Sequence, residues 1–374
     1  MIDPLALASS ADMSEAQNPD IDVVIAVHTT TRPLSRAIAS CLSGSQGPRI
    51  RITVVCHNIS SKEISSSIDI QYVNSVRYLE LSDGKNSPAG PKNAGLISTT
   101  APFVCVLDSD DFLETGALGH WYQLVNEKNA DAVIAPVRHE SGSIIKTPRV
   151  RLGRVENLDP VKDRLAYATA MRGLWRTNLG PLREFRYVEG LRTAEDLAPS
   201  LELYFSGGRF LFPAKGPAYV LGNESDDRVT HDLLPLPQEF SAIFRLPEKW
   251  LQELSPAARK GIAVKLARTS LISAIKRRGS TSNWGVDDRA AVQQLVEFLT
   301  ELAPNFRKPL STAENELIVG SSLAVTEPDT FLSAVRAYED AGLIVRTLCR
   351  GALANVDPDS TFRQIIRATF DRRK

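Results

Sequence analysis

The 374-residue sequence predicts an α/β fold: a Rossmann-like, mostly parallel sheet with flanking helices, followed by an all-helical C-terminal region. Three observations carry this. Short β-branched runs recur up to Val137, and helically spaced stretches separate them. Most of these runs are apolar throughout rather than alternating, as strands covered on both faces are. Beyond about Phe240 the β-branched runs thin out and helical periodicity takes over.

In chain order, residues 21–27 are too few for a typical helix and read as a buried strand. Pro33 suits a first helical turn and opens a helix to about Leu42, which the Gly44 to Pro48 stretch ends. Residues 51–56 form a second strand, 60–69 a weaker helix and 76–81 a third strand. The breaker-rich Ser87-Pro88-Ala89-Gly90-Pro91 leads into a helix to about Ser98. A fourth strand, 103–107, ends on Asp108-Ser109-Asp110-Asp111. A helix over 115–128 and a strand over 132–137 follow, then an irregular charged stretch, 139–159. Helices are expected over 246–254, 257–277, 287–302, 328–354 and 360–373. The predicted organisation is a disordered leader (1–20), an α/β domain (21–235) and a helical domain (240–374), with no internal repeat.

Crossovers in such a sheet are right-handed, and ligands sit in the crevice at the carboxyl ends of the strands. Here four of those ends are polar: His28-Thr29, His57-Asn58, Ser82-Asp83 and Asp108 to Asp111. Four strands would therefore aim polar groups at one rim.

Composition narrows the classes. With 44 basic and 44 acidic residues the formal net charge is zero, which argues against a broad nucleic-acid-binding surface. Cys41, Cys56, Cys105 and Cys349 lack metal-type spacing, and buried reduced thiols are expected. The first twenty residues contain no Lys or Arg and do not read as a signal peptide. No window reaches the ~18 apolar residues a membrane span needs. A cytoplasmic location is expected, with peripheral contact to the inner face of the membrane left open.

The acidic cluster carries the chemistry. An Asp-x-Asp at a strand end places carboxylates where Mn²⁺ or Mg²⁺ can sit, held by one or two carboxylates plus substrate phosphates. Three acids in four residues repel one another unless cations balance them. Asp111, just before Phe112-Leu113-Glu114, is better read as a helix N-cap than as a ligand. Taken alone, Glu195-Asp196 also has a structural reading, with Thr193 as N-cap and Asp196 at the third helical position.

The ordered segments Ser87 to Leu96, Thr99 to Val104 and Leu107-Asp108-Ser109-Asp110-Asp111-Phe112-Leu113 resemble the family 2 glycosyltransferases. So do Val24 to His28 with Arg32-Pro33-Leu34 at the start of the chain. Gly173-Leu174-Trp175-Arg176, Glu184-Phe185, Ala194-Glu195-Asp196-Leu197 and Gly207-Gly208 follow that family's acceptor-side order, so the resemblance covers roughly residues 21–230. It implies a GT-A fold and a metal-dependent, inverting enzyme of the hexosyltransferase type. Such an enzyme moves a sugar from a nucleotide-diphosphate sugar to a hydroxyl of a glycan or lipid-linked acceptor. Asp108 and Asp110 would bind the metal and the ribose-diphosphate. Ala26, His28, Asn58, Lys92, Asn93 and Ser109 would line the donor, and Asp196 beside Glu195 would be the general base. Lys92 stands where the family more often has Arg, offering a point charge instead of a fork. His57-Asn58 replaces the family's Asp-Asp, so the UDP preference that the resemblance implies is less secure. Asn58 can still address a base through its amide.

Further candidates are His231 as a third metal ligand, Trp175 stacking on an acceptor sugar, and Arg172 and Arg176 meeting phosphate. The basic clusters at 276–278 and 372–374 read as solvated helix ends or as contacts to an anionic membrane holding the acceptor. The helical region could also form a homodimer. Two rivals remain: a sugar nucleotidyltransferase, disfavoured because no Gly-rich loop follows the first strand, and a non-catalytic nucleotide-sugar-binding scaffold.

Overall fold

The computed structural model describes residues 8–9, 18–44, 46–168, 170–177, 185–223, 233–280 and 283–370. It divides into two compact units, Met1–Asp232 and Leu233–Lys374.

In the first unit, β1 (Ala8–Ser9), β2 (Ile21–Val27), β3 (Ile50–His57), β4 (Val76–Leu81) and β5 (Phe103–Asp108) belong to an eight-stranded sheet. It is completed by β7 (Ala132–Ile134), β10 (Gly173–Arg176) and β11 (Phe210–Leu211), in the order β1-β4-β3-β2-β5-β10-β7-β11. β4, β3, β2 and β5 run parallel in continuous register, with Ala26 beside both Val55 and Asp108. Their carboxyl ends therefore meet on one rim. β10 enters antiparallel between β5 and β7.

The apolar character of β2, Asp22 apart, follows from its two covered faces. Val23, Ile25 and Val27 pack with α1 (Leu34–Leu42) and α5 (Ala117–Glu127) through Ile38 and Trp121. Val24 faces the other way, toward α4 (Ala89–Ile97), where a Cβ on Gly95 would lie 2.2 Å from its Cγ1. Only glycine allows that approach. The buried Asp22 inside β2 is held by a bidentate Arg51 at 2.6 and 2.8 Å and by the N–H groups of Thr100 and Ala101. Two short helices, α2 (Ser61–Ser67) and α3 (Ile70–Val73), link β3 to β4.

Several expectations are revised. Residues 132–137 are not one strand: after Pro136 the chain passes into a second sheet as β8 (Val137–His139). That sheet has the order β6 (Phe112–Leu113), β12 (Tyr219–Leu221), β8, β9 (Ile144–Ile145), so the stretch expected to be irregular contributes a strand. Phe112–Leu113 is extended, and α5 starts only at Ala117 behind Gly116 at φ 77°. Asp111 therefore caps no helix. Of the predicted leader only Ala8–Ser9 and Asn18 onward are described, and Ala8–Ser9 pair antiparallel with Glu80 and Leu79. All four cysteines are free and buried.

The second unit is helical, as expected. Helices Pro256–Leu266, Val286–Leu302, Thr312–Ser321 and Pro328–Asp340 surround Leu271, Leu295, Leu299, Phe306, Leu317 and Phe331, all fully buried. A π-helical stretch, Ala267–Ile272, continues into Ser273–Arg278. The helix expected over 328–354 breaks at Ala341, which is extended; Leu343–Thr347 is a separate short helix. Thr312–Ser321 has little helical amphipathicity to announce it. Ser311 and Glu314 close a capping box at its start. Among the described residues no helix is long and apolar enough to cross a membrane.

Candidate active site

The rim of the parallel strands opens on a cavity of about 340 Å³ lined by Lys92, Asp108, Arg172, Tyr187, Glu195, Asp196 and Tyr219, among others. These residues arrive from separate segments. Asp108 is the last residue of β5, and its backbone N–H donates to the Tyr219 hydroxyl of β12 at 3.0 Å. Lys92 lies on α4. Glu195 and Asp196 precede α6 (Leu197–Tyr204), after Ala194 in the left-handed region at φ 58°. That conformation is unfavourable for a residue with a Cβ and turns the chain sharply into the helix. Val188 N–H donates to the Glu195 carbonyl and ties the turn down.

Lys92 is the hub. Its Nζ pairs with Asp108 Oδ1 at 3.0 Å and with Glu195 Oε1 at 3.1 Å, and lies 5.3 Å from the centre of the Tyr187 ring. Burial alone would favour neutral Lys92, but Asp108 and Glu195 outweigh it and raise its pKa well above the ordinary lysine value. Burial likewise works against ionised Asp108, but Lys92 and Arg172 hold its carboxyl below the usual range. Asp110 meets Arg32 at 2.8 Å, and Arg36 donates to its carbonyl at 3.1 Å. Asp111 accepts from Gly222 N–H at 3.0 Å; burial, then Asp108 and Asp110, push its carboxyl up to about 7. A Cβ on Gly222 would fall 2.0 Å from the Asp110 carbonyl oxygen, so the close approach of β12 requires glycine. Protein cations thus already offset part of the repulsion in the acidic cluster.

The helix-start reading of Glu195-Asp196 does not hold in its expected form. α6 begins at Leu197, one residue after Asp196, whose side chain makes no capping bond. Asp196 instead lines the cavity, at the positive end of the helix dipole.

The other expected positions separate into groups. Ala26 ends near Asp108 on the rim, His28 is exposed just beyond β2, and Ser109 is buried. Asn93 is 2% exposed, and its amide exchanges two hydrogen bonds with the Tyr187 backbone at 2.8 and 3.0 Å, clamping a loop. Asn58, at φ 56°, takes the N–H groups of Asp83 and Gly84 on its amide oxygen and donates to the Lys85 carbonyl. The amide expected to read a base is engaged inside the protein. Trp175 is a core residue, fully buried against Tyr204 and Phe210, with no face for an acceptor sugar. Arg176 stacks on Phe103, at the end of the sheet away from the rim. Both corrections have one cause. β10 runs antiparallel to β5, so its beginning and not its end meets the rim. His231 and Glu184 lie outside the described residues.

Arg172, at that rim end, is the residue the sequence reading undervalued. Its guanidinium carbon lies 5.2 Å from the Tyr219 ring centre, among the fields of Asp108, Asp111 and Asp196, and its buried Nε has no hydrogen-bond partner among the described residues. The following Gly173 has φ 130° and would place a Cβ 2.0 Å from the Val133 carbonyl oxygen. The local pattern offered a signal only in that invasive glycine contact, which is invisible without β7.

Asp108 and Asp110 bring the hard oxygen donors that Mn²⁺ and Mg²⁺ take, on the rim where phosphates would arrive. Among the described residues no three His, Cys, Asp or Glu side chains converge as a complete ligand set. The two carboxylates are paired with protein cations, Asp108 with Lys92 and Asp110 with Arg32.

A parallel sheet ending in an Asp-x-Asp rim, with a cationic hub joining it to a second carboxylate pair, defines a GT-A-type fold. Residues 22–180 match the model of glycosyl transferase family 2. Among curated relatives it is 21% identical to the poly(ribitol-phosphate) beta-N-acetylglucosaminyltransferase TarP of Staphylococcus aureus, over 54% of this chain and 63% of that protein. It is 20% identical to the poly(ribitol-phosphate) beta-glucosyltransferase of Bacillus spizizenii, over 59% of this chain and 35% of that protein. The chain thus spans less than two thirds of the length of these relatives. The crystal structure of S. aureus TarS 1-349 in complex with UDP-GlcNAc superposes with a TM-score of 0.69 at 14% identity, over 86% of this chain and 91% of that one. That likeness is one of fold, and it extends into the helical unit.

Proposed function

We propose that the chain is an inverting glycosyltransferase that moves a hexosyl group from a UDP-sugar to a hydroxyl of a glycan or phosphate-bearing polymer. The convergence of Asp108, Lys92, Glu195, Asp196 and Arg172 on one cleft is the observation that carries this reading. The donor assignment draws on the relatives: TarS binds UDP-GlcNAc, and the names of TarP and the Bacillus enzyme specify poly(ribitol-phosphate) as acceptor.

Asp196 accepts the proton of the acceptor hydroxyl as that oxygen bonds to the anomeric carbon. The bond from that carbon to the diphosphate oxygen breaks, and the nucleoside diphosphate leaves with the electron pair. One direct displacement inverts the centre and needs no covalent intermediate. Lys92 keeps Asp108 ionised on the donor side and fixes Glu195 beside the base. Arg172 offers its unengaged donor to phosphate oxygens. Asp108 and Asp110 would hold Mn²⁺ or Mg²⁺ with the substrate phosphates, and the ion would supply Lewis-acid stabilisation of the leaving diphosphate.

The test is incubation with a panel of nucleotide sugars and Mn²⁺, reading released nucleoside diphosphate by chromatography. UDP release from one sugar is the expected result. Absence of both turnover and binding across the panel would overturn the assignment, and binding without turnover would favour the scaffold. Asp110→Ala should abolish the metal-dependent part of donor binding by calorimetry, and unchanged affinity would remove the metal role.

A further inference from the structure

We propose that one face of the helical unit docks on an anionic phospholipid bilayer. The face is built from Leu343–Thr347, the 3₁₀ turn Ala352–Val356 and Thr361–Phe370. The last of these packs against both of the others, so the three segments lie side by side. Leu353 is 85% exposed, Leu343 80% and Ile344 72%, and Val356 is exposed beside them. On Thr361–Phe370, Phe362, Ile365 and Ile366 stand at i, i+3 and i+4 and share one exposed stripe. Scattered apolar residues on a surface need no explanation, but a contiguous patch marks an interaction site.

The charges around the patch select the partner. From Leu343 onward the sequence carries seven basic residues against three acids, in a chain whose formal net charge is zero. Arg346 donates to the carbonyls of Tyr338 and Glu339, and Arg363 to that of Val356; both residues are exposed, and these acceptors carry no charge to cancel theirs. Beside Leu353 opens a cleft of about 930 Å³ whose wall includes Arg307, Lys308 and Arg350. Its one acid, Asp357, is matched by Lys260 at 2.5 Å, and Arg350 by Glu316 at 2.7 Å; the exposed Arg307 and Lys308 remain to meet an incoming anion. A two-fold self-association would bring this patch onto its own copy and set cations against cations. An anionic membrane satisfies both halves: apolar tips enter the acyl boundary while arginine and lysine heads stay among the headgroups. The other basic cluster does not serve. Arg277 and Arg278 are held by Glu239, and Arg278 also by the Leu234 carbonyl.

The test uses the full chain in vesicle co-sedimentation. Vesicles of phosphatidylcholine with about a third phosphatidylserine should carry the protein down, whereas pure phosphatidylcholine should not, and about 0.5 M salt should release it by screening. The double substitution Leu353→Asp and Ile365→Asp should lower the partition coefficient at least about tenfold. Both side chains are exposed, so helicity by circular dichroism and UDP affinity should stay unchanged. Three results would overturn the proposal: binding to neither vesicle, equal binding to both, or a dimer in light scattering that the same double substitution dissociates. The last would make the face a self-interface.

Discussion

Each unit buries a cation among acids, and the two sites are built to opposite ends. In the helical unit Arg268 donates to both oxygens of Glu314, to the carbonyls of Asp359 and Pro309, and to the Thr361 hydroxyl. Thr361 and the Ser311 N–H complete the shell of Glu314. Every direction of that guanidinium is used, and the network staples chain segments far apart in sequence. In the first unit Arg172 lies in the fields of Asp108, Asp111 and Asp196, and among the described residues it makes no ion pair with them and its buried Nε has no hydrogen-bond partner. A saturated network holds a fold together; a buried cation left under-satisfied beside acids points to a ligand. The contrast separates stability from chemistry better than burial does, since both arginines are largely enclosed.

Substitutions can break this contrast. The largest effect is expected at Asp196→Asn, which should lower kcat by roughly 10²- to 10⁴-fold. UDP affinity and thermal stability should be preserved; a loss confined to KM would move the base elsewhere. Next comes Glu314→Ala, which strands Arg268 as a buried charge and should cost about 3–5 kcal/mol. Denaturant unfolding of the full chain would show it as an earlier transition, with unchanged UDP affinity. Arg172→Met should do the reverse. Losing a charged hydrogen bond to phosphate should weaken UDP binding by about 1.5–3 kcal/mol, roughly ten- to a hundredfold, with little change in the unfolding midpoint. If Arg172→Met unfolds the protein and leaves UDP binding intact, the two networks are of one kind and the contrast fails.

The smallest effect is a pH dependence. Burial raises the Glu314 carboxyl, but the charge and hydrogen bonds of Arg268, with those from Ser311 and Thr361, outweigh it and hold it below the ordinary 4.5. A folded pKa below the unfolded one adds stability that is fully present above 4.5 and lost as pH falls through the lower, folded value. The unfolding midpoint should therefore drop as the solution is acidified below 4.5, and Glu314→Gln should flatten that dependence.

Much of this was legible in the residues. The strand predictions at 21–27 and 76–81 match the observed β2 and β4 residue for residue; β2 is buried along nearly its whole length, while β4 carries the half-buried Arg77 and Glu80 between its apolar residues. Asp108 and the Glu195-Asp196 pair were found from motif order, and both line the cleft. Asn58, Asn93, Trp175 and Arg176 were placed at the donor or acceptor by the same reasoning, and packing claims them instead. A motif records which residue types occur together; it does not record whether an amide faces a ligand or a neighbouring loop. The Thr312–Ser321 helix went unread because buried Glu314 and Ser321 and exposed Val319 break the helical spacing of apolar and polar positions.

By itself the sequence determined the α/β-then-helical order, the polar carboxyl ends of the parallel strands, and the pair of acidic motifs that define the family. These are local matters of apolar run length and residue chemistry. The tertiary structure alone decided which basic residue joins them. Inserting β10 antiparallel turns Arg172 toward the rim and Arg176 away, and packing α4 against β2 brings Lys92 between Asp108 and Glu195. Strand direction and helix docking are set by contacts between segments distant in the chain, and no local pattern encodes them.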